Sequence, residues 1–369
     1  MRPQTETELA EVVRTAPGPL AIRGGGTRPI GVPRAGDALS LAGLTGVSLY
    51  EPGALTLVVK AGTPLAEVEA VLAEENQRLP FEPMDHRALL ATDGAPTIGG
   101  VVAANVSGPR RVQAGACRDS MIGVRYVDGM GNIIKNGGRV MKNVTGYDLV
   151  KLMAGSYGTL GVLTEVAFKV LPAPGATATI RAIGLDEATA VRAMSAALGS
   201  PFEVNGASHH SDRHADQAVT ILRIEGFSES VAYRANALSE LLKPYGDWQL
   251  ADADWSSIRD VAPFVGQPGD VWRLSIKPSD APGLVAQAAP LDALFDWGGG
   301  LVWLRVSEGT DLRADLGSFS GHATLIRAAG ETKARLGVFH PEPGPLAKIS
   351  AGLRAKFDPR GILNPGLMG

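Results

Sequence analysis

The 369-residue sequence has a single cysteine, Cys117, few aromatic residues and no long apolar run. One cysteine cannot form an internal disulfide, and it cannot supply the ligands of a CxxC zinc site or a cysteine-ligated iron–sulfur cluster. Lys60, Arg125 and Lys169 interrupt the most apolar segments well before the roughly 18 residues that a membrane span requires. The sequence therefore predicts neither a disulfide scaffold nor a membrane-spanning segment.

No excess of one charge is present either. Lysine and arginine together number 35, aspartate and glutamate 38, and the net charge is −3. A general nucleic-acid or anionic-membrane surface is not expected from such a balance. Residues 1–6 lead into an acidic amphipathic helix without the apolar core of a signal peptide. We expect a cytoplasmic protein, and a peripheral position at the inner face of the membrane, through partners, stays open.

Glycine and proline are abundant, with 46 and 25 residues. They recur in short clusters that indicate tight turns between short strands and helices. The segment 172–175 (PAPG) is the clearest boundary, because proline ends the preceding strand. We predict a first domain at 1–173, a second at 174–340 and a C-terminal segment, 341–369, that returns to the first domain. Strands and helices in the second part indicate an α+β layer with helices on one face of a sheet.

Three glycine-rich segments, 24–26, 93–123 and 155–161, lie between strands and helices of the first part. Backbone without side chains can direct consecutive N–H groups at an anion, and pyrophosphate is a natural ligand for such a surface. Each segment alone is also compatible with a simple tight turn. The last has GxxGxxG spacing and precedes a strand, so it is no Rossmann fingerprint. The three together favour an anion-binding site.

The same segments resemble the flavin-binding domain shared by vanillyl-alcohol oxidase and p-cresol methylhydroxylase (PCMH). The similarity lies in residues 22–27 (IRGGGT), 97–100 (TIGG), 107–111 (SGPRR), 115–119 (GACRD) and 155–166 (GSYGTLGVLTEV). Residues 142–149 (KNVTGYDL) and 357–366 (FDPRGILNPG) further resemble the smaller flavin-subunit family of bacterial glycolate oxidases. The resemblance implies an α+β protein with a PCMH-type FAD-binding fold of two α/β subdomains, and an α+β cap domain with an antiparallel sheet.

The resemblance also implies noncovalent FAD and a set of residues that hold it. Residues 23–27 are expected at the pyrophosphate, the middle segments at the ribityl chain and isoalloxazine, and the last glycines at the adenine and ribose. Arg110 and Arg118 can place charge near the flavin, or can simply be solvated or paired with Asp119. The implied cofactor-binding residues are Arg23, Gly24, Gly25, Gly26, Thr27, Thr97, Gly99, Gly100, Ser107, Gly108, Arg110, Arg118, Gly155, Gly158, Gly161 and Val162.

Covalent flavin attachment in this superfamily often uses a loop histidine or a cysteine in the second stretch. Thr27 stands at the histidine position, so that route is absent. Cys117 lies near the second position, and it is either an attachment site or, as we favour, a small buried thiol.

No metal site is expected. His209, His210 and His214 form the only histidine cluster, in a polar stretch that we interpret as a solvated loop rather than a metal site. Larger relatives that oxidise 2-hydroxy acids are expected to carry a His-x-His metal pair. Its absence puts independent substrate oxidation by this chain in doubt.

Arg273 and Arg305 lie in strands that alternate tryptophan and arginine, and they are the candidate catalytic residues. Either guanidinium can bind a substrate carboxylate, although we favour a position on the solvent face of a half-buried sheet. The implied function is the FAD-binding subunit of a complex that oxidises glycolate or another 2-hydroxy acid. Its expected partners are a larger flavin subunit and an iron–sulfur subunit that receives the electrons. A non-catalytic flavin-holding relay subunit and a free-standing oxidase of a hydroxy acid or sugar lactone remain alternatives.

Overall fold

The computed structural model describes residues 1–32, 35–138, 146–212 and 218–368. For Asp212 it describes the backbone but not the side chain. Residues 142–145 of one predicted motif and His214 of the histidine cluster lie outside the described residues. The described strands are β1 Leu20–Arg23, β2 Asp37–Ser40, β3 Val47–Glu51, β4 Thr56–Lys60, β5 Gln77–Arg78, β6 Met121–Val127, β7 Ile133–Gly137, β8 Val162–Lys169, β9 Leu171–Pro172, β10 Ala176–Ile183, β11 Gly206–Asp212, β12 Val219–Gly226, β13 Gln249–Ala251, β14 Asp270–Ile276, β15 Asp292–Asp296, β16 Leu301–Val306 and β17 Gly321–Arg327.

The α-helices are α1 Glu6–Thr15, α2 Leu65–Glu74, α3 Arg87–Leu90, α4 Ile98–Ala103, α5 Arg111–Ala114, α6 Cys117–Ser120, α7 Leu149–Met153, α8 Glu187–Leu198, α9 Ser228–Leu242, α10 Trp255–Arg259, α11 Ala281–Ala288, α12 Leu312–Leu316, α13 Gly330–Leu336 and α14 Gly344–Phe357. Within the described part of the chain, no helix has the length and apolar character needed to cross a membrane.

The chain forms two compact units. The first contains Met1–Ser107, Gly115–Ala173 and Pro341–Gly369, and the second contains Gly108–Ala114 and Pro174–His340. The sequence-based boundaries place Gly108–Ala114 in the first domain, whereas this segment packs with the second unit. Its contacts explain the difference, because Gly108 accepts a hydrogen bond from the Trp297 indole at 3.0 Å.

The first unit contains a five-stranded antiparallel sheet in the order β3-β4-β8-β6-β7 and a parallel pair, β1-β2. The helix α1 begins where the Thr5 hydroxyl accepts a hydrogen bond from the Glu8 backbone N–H, 3.2 Å away. Its apolar face buries Leu9 and Val13 against Leu20 and Leu39. Burial of such side chains stabilises the unit by roughly 1.5–3 kcal/mol each.

The C-terminal segment lies beside β1, on the edge that β2 does not occupy. Leu20 donates its N–H to Ile362 at 2.7 Å, and its carbonyl accepts from Asn364 at 3.1 Å. Arg360 donates to the carbonyls of Val13 and Arg14, where α1 ends. These bonds satisfy backbone groups that a strand edge and a helix terminus otherwise leave open. The end of the chain therefore fixes the strand that leads into the first glycine segment.

The second unit is built on an eight-stranded antiparallel sheet in the order β13-β10-β12-β11-β15-β16-β14-β17. Alternate residues of the strands share one face, and Leu222, Trp272 and Leu304 lie on the face that packs against helices. Val191 of α8 and Leu238 of α9 complete that core. The α+β prediction for this part of the chain, with helices packed on a sheet, is confirmed.

The two described histidines of the cluster do not lie in a loop, so the loop interpretation is wrong for them. His209 and His210 belong to β11, in the interior of the sheet. His209 is fully buried with its Nδ1 atom 2.9 Å from the Thr220 hydroxyl, and His210 Nε2 lies 2.9 Å from the Asp292 carboxylate. Successive strand residues point to opposite faces, so these two imidazoles cannot converge on one metal ion. The described residues contain no group of three or more histidine, cysteine or acidic side chains that could hold a metal.

We predict that acid destabilises the second unit through His209. Burial lowers the pKa of His209 from 6.5 to about 4. Between those values the unfolded chain binds a proton that the folded chain does not, so stability falls with decreasing pH, by about 3 kcal/mol at most. His209→Gln should flatten this part of the pH profile. Denaturant unfolding followed by tryptophan fluorescence measures it, because all five tryptophans lie between positions 248 and 303.

His322→Gln is the matched control, because His322 lies exposed on β17. An unchanged pH slope in the His209 variant, or an equal loss of slope in the control, would contradict the assignment.

Candidate functional site

A cleft of about 380 Å³ lies within the first unit, where three glycine segments meet. They are the turn after β1, the start of α4 and the turn that precedes β8. The predicted cofactor-binding residues that line the cleft are Arg23, Gly24, Gly25, Gly26, Thr27, Thr97, Gly99, Gly100, Gly158, Gly161 and Val162. Five others are not among its lining residues: Ser107, Gly108, Arg110, Arg118 and Gly155.

The turn after β1 presents backbone donors to this cleft. Among the described residues, the N–H groups of Gly24, Gly25, Gly26 and Thr27 find no hydrogen-bond acceptor. Backbone N–H groups in folded proteins are almost always paired, so four successive unpaired donors require an explanation. An anion supplies one, because consecutive N–H groups form an anion-binding concavity.

Close packing explains why two of these residues are glycine. A Cβ atom on Gly25 would lie 1.6 Å from the Ala95 carbonyl oxygen, and one on Gly24 would lie 2.3 Å from the Thr97 hydroxyl. Gly26 differs, because it has a φ of +72° and a Cβ atom there would meet nothing within 4 Å. The turn therefore packs tightly against residues 95–97, and Gly26 is the position where a side chain can project without a collision.

The second glycine segment is positioned by its own backbone. The N–H groups of Ile98 and Gly99 donate to the carbonyls of Thr63 and Ala61 at 3.0 and 2.8 Å. The Thr97 hydroxyl accepts from Gly100 at the start of α4. These donors are already used, so this segment contributes shape rather than hydrogen bonds. Val101, Val106 and Leu163 continue the wall as an apolar surface suited to a flat ring system.

The charges at the cleft have one sign. Its lining residues include Arg23 and Arg28 but no aspartate or glutamate. Arg28 donates from Nε to His86 Nε2 at 3.2 Å and from Nη2 to the Tyr157 hydroxyl at 3.0 Å. Sequence reasoning missed all three residues, although Arg28 directly follows the turn and Tyr157 lies within the third segment. His86 had no signal in the sequence.

Asn364 connects two of the glycine segments. Its Oδ1 atom accepts from the Ile22 N–H at 2.7 Å, and its Nδ2 group donates to the Tyr157 carbonyl at 2.9 Å. One side chain thus sets the separation between the turn after β1 and the turn before β8. The FDPRGILNPG sequence signalled this segment, but not the role of its asparagine.

Cys117 is a buried thiol, as we favoured from the sequence. It is 0% exposed, and burial raises the pKa of its thiol, which disfavours the nucleophilic thiolate. It does not line the cleft. The neighbouring Arg118 lies half exposed with its Nε atom 3.7 Å from Asp119.

The candidate arginines of the second unit are held by local contacts. Arg110 makes a bidentate ion pair with the buried carboxylate of Glu225, with a shortest distance of 2.6 Å. Arg305 does not face solvent, so our favoured interpretation of it is wrong. It is 8% exposed, donates to the Pro268 carbonyl at 3.1 Å and lies 3.8 Å from Asp292.

Arg273 is partly buried, and its guanidinium lies 5.3 Å from the Trp297 ring centre and 6.0 Å from that of Trp303. Stacking of this kind holds a guanidinium in place while its charge is kept. The two candidate catalytic residues therefore differ in burial, because Arg305 is buried and Arg273 is only partly buried.

The unpaired amides, the two arginines and the apolar wall fit a dinucleotide that combines a pyrophosphate with a flat ring. Residues 1–137 match the family model described as an FAD binding domain. The structure aligns with the solved structure of an alkyldihydroxyacetonephosphate synthase with a TM-score of 0.71, covering 99% of this chain and 76% of that one at 15% identity. The fold and the cleft define a PCMH-type FAD-binding protein, and the predicted fold class and cofactor are confirmed.

Comparison of nearly the whole sequence with known proteins identifies the family within this class. The chain is 38% identical over 354 residues to the glycolate oxidase subunit GlcE of Escherichia coli, which covers 95% of this chain and 92% of that protein. It is 37% identical over 129 residues to the glycolate oxidase subunit GlcD of Bacillus subtilis, covering 35% of this chain and 26% of that protein. The chain belongs to the GlcE family of glycolate oxidase subunits and is an FAD-dependent oxidoreductase.

We predict that charge, rather than bulk, at Gly26 decides FAD binding. Asparagine and aspartate both tolerate a positive φ and have nearly the same shape. Gly26→Asp adds a carboxylate at the four unpaired amides and should abolish FAD binding, whereas Gly26→Asn should retain most of it. The flavin-to-protein absorbance ratio of the purified variants measures the difference. Equal flavin contents would show that the turn does not meet the pyrophosphate.

Proposed function

We propose that this chain is the smaller, FAD-binding subunit of a complex that oxidises glycolate or a related 2-hydroxy acid. The observation that carries the proposal is the row of four amides without an acceptor, in a cleft with no acidic side chain among its described lining residues. Family membership supports the same conclusion. Bound FAD supplies two-electron acceptance from a CH–OH group and one-electron release to a further carrier.

The residues of the cleft support noncovalent binding. Thr27 stands where a covalent histidine link would need an imidazole, and Cys117 is buried away from the cleft lining. The apolar wall formed by Val101, Val106 and Leu163 excludes water from a bound ring. The N–H groups of residues 98 and 99 donate to backbone carbonyls, and these hydrogen bonds hold that wall in place.

The composition of the chain supports a requirement for partners. A single cysteine cannot ligate an iron–sulfur cluster, so one-electron transfer to such a cluster needs another chain. We propose an iron–sulfur subunit as the electron acceptor and a larger flavin subunit as the second partner. The 37% identity over 129 residues to the glycolate oxidase subunit GlcD of Bacillus subtilis supports this choice of partner.

We propose Arg273 for substrate recognition, because it is less buried than Arg305 and lies against two tryptophan rings. A guanidinium can bind the substrate carboxylate through two parallel hydrogen bonds. Arg305 already interacts with Asp292 and Pro268, and its burial beside a carboxylate favours a structural role. Arg273 is stacked near Trp297 and Trp303, an arrangement that orients its charge.

A second candidate function is a flavin-holding relay subunit that does not oxidise substrate itself. The fixed contacts of Arg305 favour it, and so does the lack, within the described ranges, of a three-residue metal cluster. The relay and the oxidase share the same FAD site, so reduction by substrate distinguishes them.

We predict that acid precipitation of the purified yellow protein releases free FAD into the supernatant. The buried Cys117 thiol is protonated and cannot attack the flavin, so no covalent bond retains the cofactor. Cys117→Ala should leave both the flavin content and its release unchanged. Flavin that remains with the pellet, and is lost from it in Cys117→Ala, would contradict noncovalent binding.

We predict that glycolate bleaches the flavin little or not at all when the chain is purified alone under anaerobic conditions. Bleaching should appear after co-purification with the larger flavin subunit and the iron–sulfur subunit. Within that complex, the flavin of this subunit should still be reduced in Arg273→Ala if the chain is a relay, and should fail to be reduced if Arg273 binds substrate. Arg192→Ala, at an exposed position of α8, is the control. Rapid bleaching of the isolated chain would show that it oxidises substrate independently.

A further inference from the structure

Arg28 is the charged side chain that follows the anion-binding turn, and two neighbours fix its direction. Its Nε–H donates to His86 Nε2 at 3.2 Å, which requires an unprotonated nitrogen at that atom. Its Nη2 group donates to the Tyr157 hydroxyl at 3.0 Å, and its Cζ atom lies 5.3 Å from the centre of the Tyr157 ring. Two of the five N–H donors are used in this way, and the guanidinium fork keeps the others in a fixed geometry.

The neighbours that hold Arg28 are neutral. His86 accepts a hydrogen bond at Nε2 and is 6% exposed, while Tyr157 contributes a hydroxyl and a ring face. No carboxylate belongs to the described lining of the cleft. The positive charge of Arg28 is therefore held beside four unpaired backbone donors without a neutralising acid in the cleft wall. Such an arrangement is suited to an anionic ligand rather than to stabilising the fold by an ion pair.

We propose that Arg28, oriented by His86 and Tyr157, is a specificity-determining residue that binds the pyrophosphate of FAD. This inference rests on the proposed FAD site and adds a residue whose positive charge is held in a fixed direction beside the turn. The amides of residues 24–27 provide directional hydrogen bonds but no net charge, so Arg28 makes the site selective for flavins that carry phosphate. Tyr157 acts through Arg28, because its hydroxyl accepts from the guanidinium and its ring lies beside it.

The test is a titration of the full-length apoprotein with FAD and with riboflavin, which lacks phosphate. Flavin fluorescence quenching at low and high ionic strength gives each Kd. Arg28→Gln should raise the Kd for FAD roughly 10- to 100-fold, the range of one or two charge-assisted hydrogen bonds, and should leave the Kd for riboflavin unchanged. The rise of the FAD Kd with salt should also become shallower.

Three further variants separate a binding role from a structural one. Arg28→Lys retains the charge without the fork and should recover part of the affinity lost in Arg28→Gln. Tyr157→Phe keeps the ring but removes the hydroxyl, so it should weaken FAD binding less than Arg28→Gln and leave riboflavin binding unaffected. Arg192→Gln makes the same charge change at an exposed position of α8 in the second unit and should alter neither Kd.

An equal loss of affinity for FAD and riboflavin in Arg28→Gln, or no loss for either, would overturn the proposed role of Arg28. The wild-type chain would still bind FAD in both cases, which leaves the proposed function standing. A wild-type apoprotein that binds neither flavin would overturn the proposed function as well.

Discussion

The cleft depends on the hydrogen bonds that join the end of the chain to β1. Asn364 lies 342 positions from Ile22 and accepts its N–H, while the same amide donates to Tyr157. Leaving such a part-buried donor unpaired costs about 1–3 kcal/mol. The greater consequence is geometric, because the two turns that Asn364 connects carry the unpaired amides and the tyrosine that orients Arg28. A site built from backbone requires this external support, since glycines do not hold a turn in one conformation.

The cleft of the first unit has a positive region, suited to a charged group, and an apolar wall, suited to a flat ring. The turn after β1 and Arg28 form a positive region, while the segment around Gly99 uses its own amides internally and gives a smooth wall. A ligand with a charged middle and a flat apolar end satisfies both regions. In the second unit, by contrast, arginines form ion pairs with acidic side chains: Arg110 with Glu225, and Arg305 with Asp292. Buried pairs of this kind mainly specify local structure, and removing one partner is costly.

Much of the fold is predictable from the sequence because its pattern is local. The α+β layer of the second unit was predicted in this way, and the structure shows helices packed on its sheet. Strand β11 was missed because its sequence is polar. His209 is nevertheless buried and His210 partly buried, since Thr220 and Asp292 supply partners from neighbouring strands. Such partners are distant in sequence, and no local pattern reveals them.

The candidate site shows the same limit. The glycine segments were predicted because glycine at a tight turn leaves a local signature and because they resemble a known family. Arg28 was missed because its partner Tyr157 lies 129 positions away, and only the fold brings them together. Arg110 was expected at the flavin, but its carboxylate partner, Glu225, lies 115 positions away. Residues whose roles depend on long-range contacts therefore require the three-dimensional structure.

Hydrogen–deuterium exchange of the full-length chain with and without FAD tests the central claim most directly. The amides of Gly24, Gly25, Gly26 and Thr27 have no acceptor among the described residues, so they should exchange rapidly in the apoprotein. The account predicts strong protection of a peptide covering this turn when FAD binds, with little change in peptides of the helix-packed sheet of the second unit. FAD binding without protection of the turn would contradict the assignment of this site.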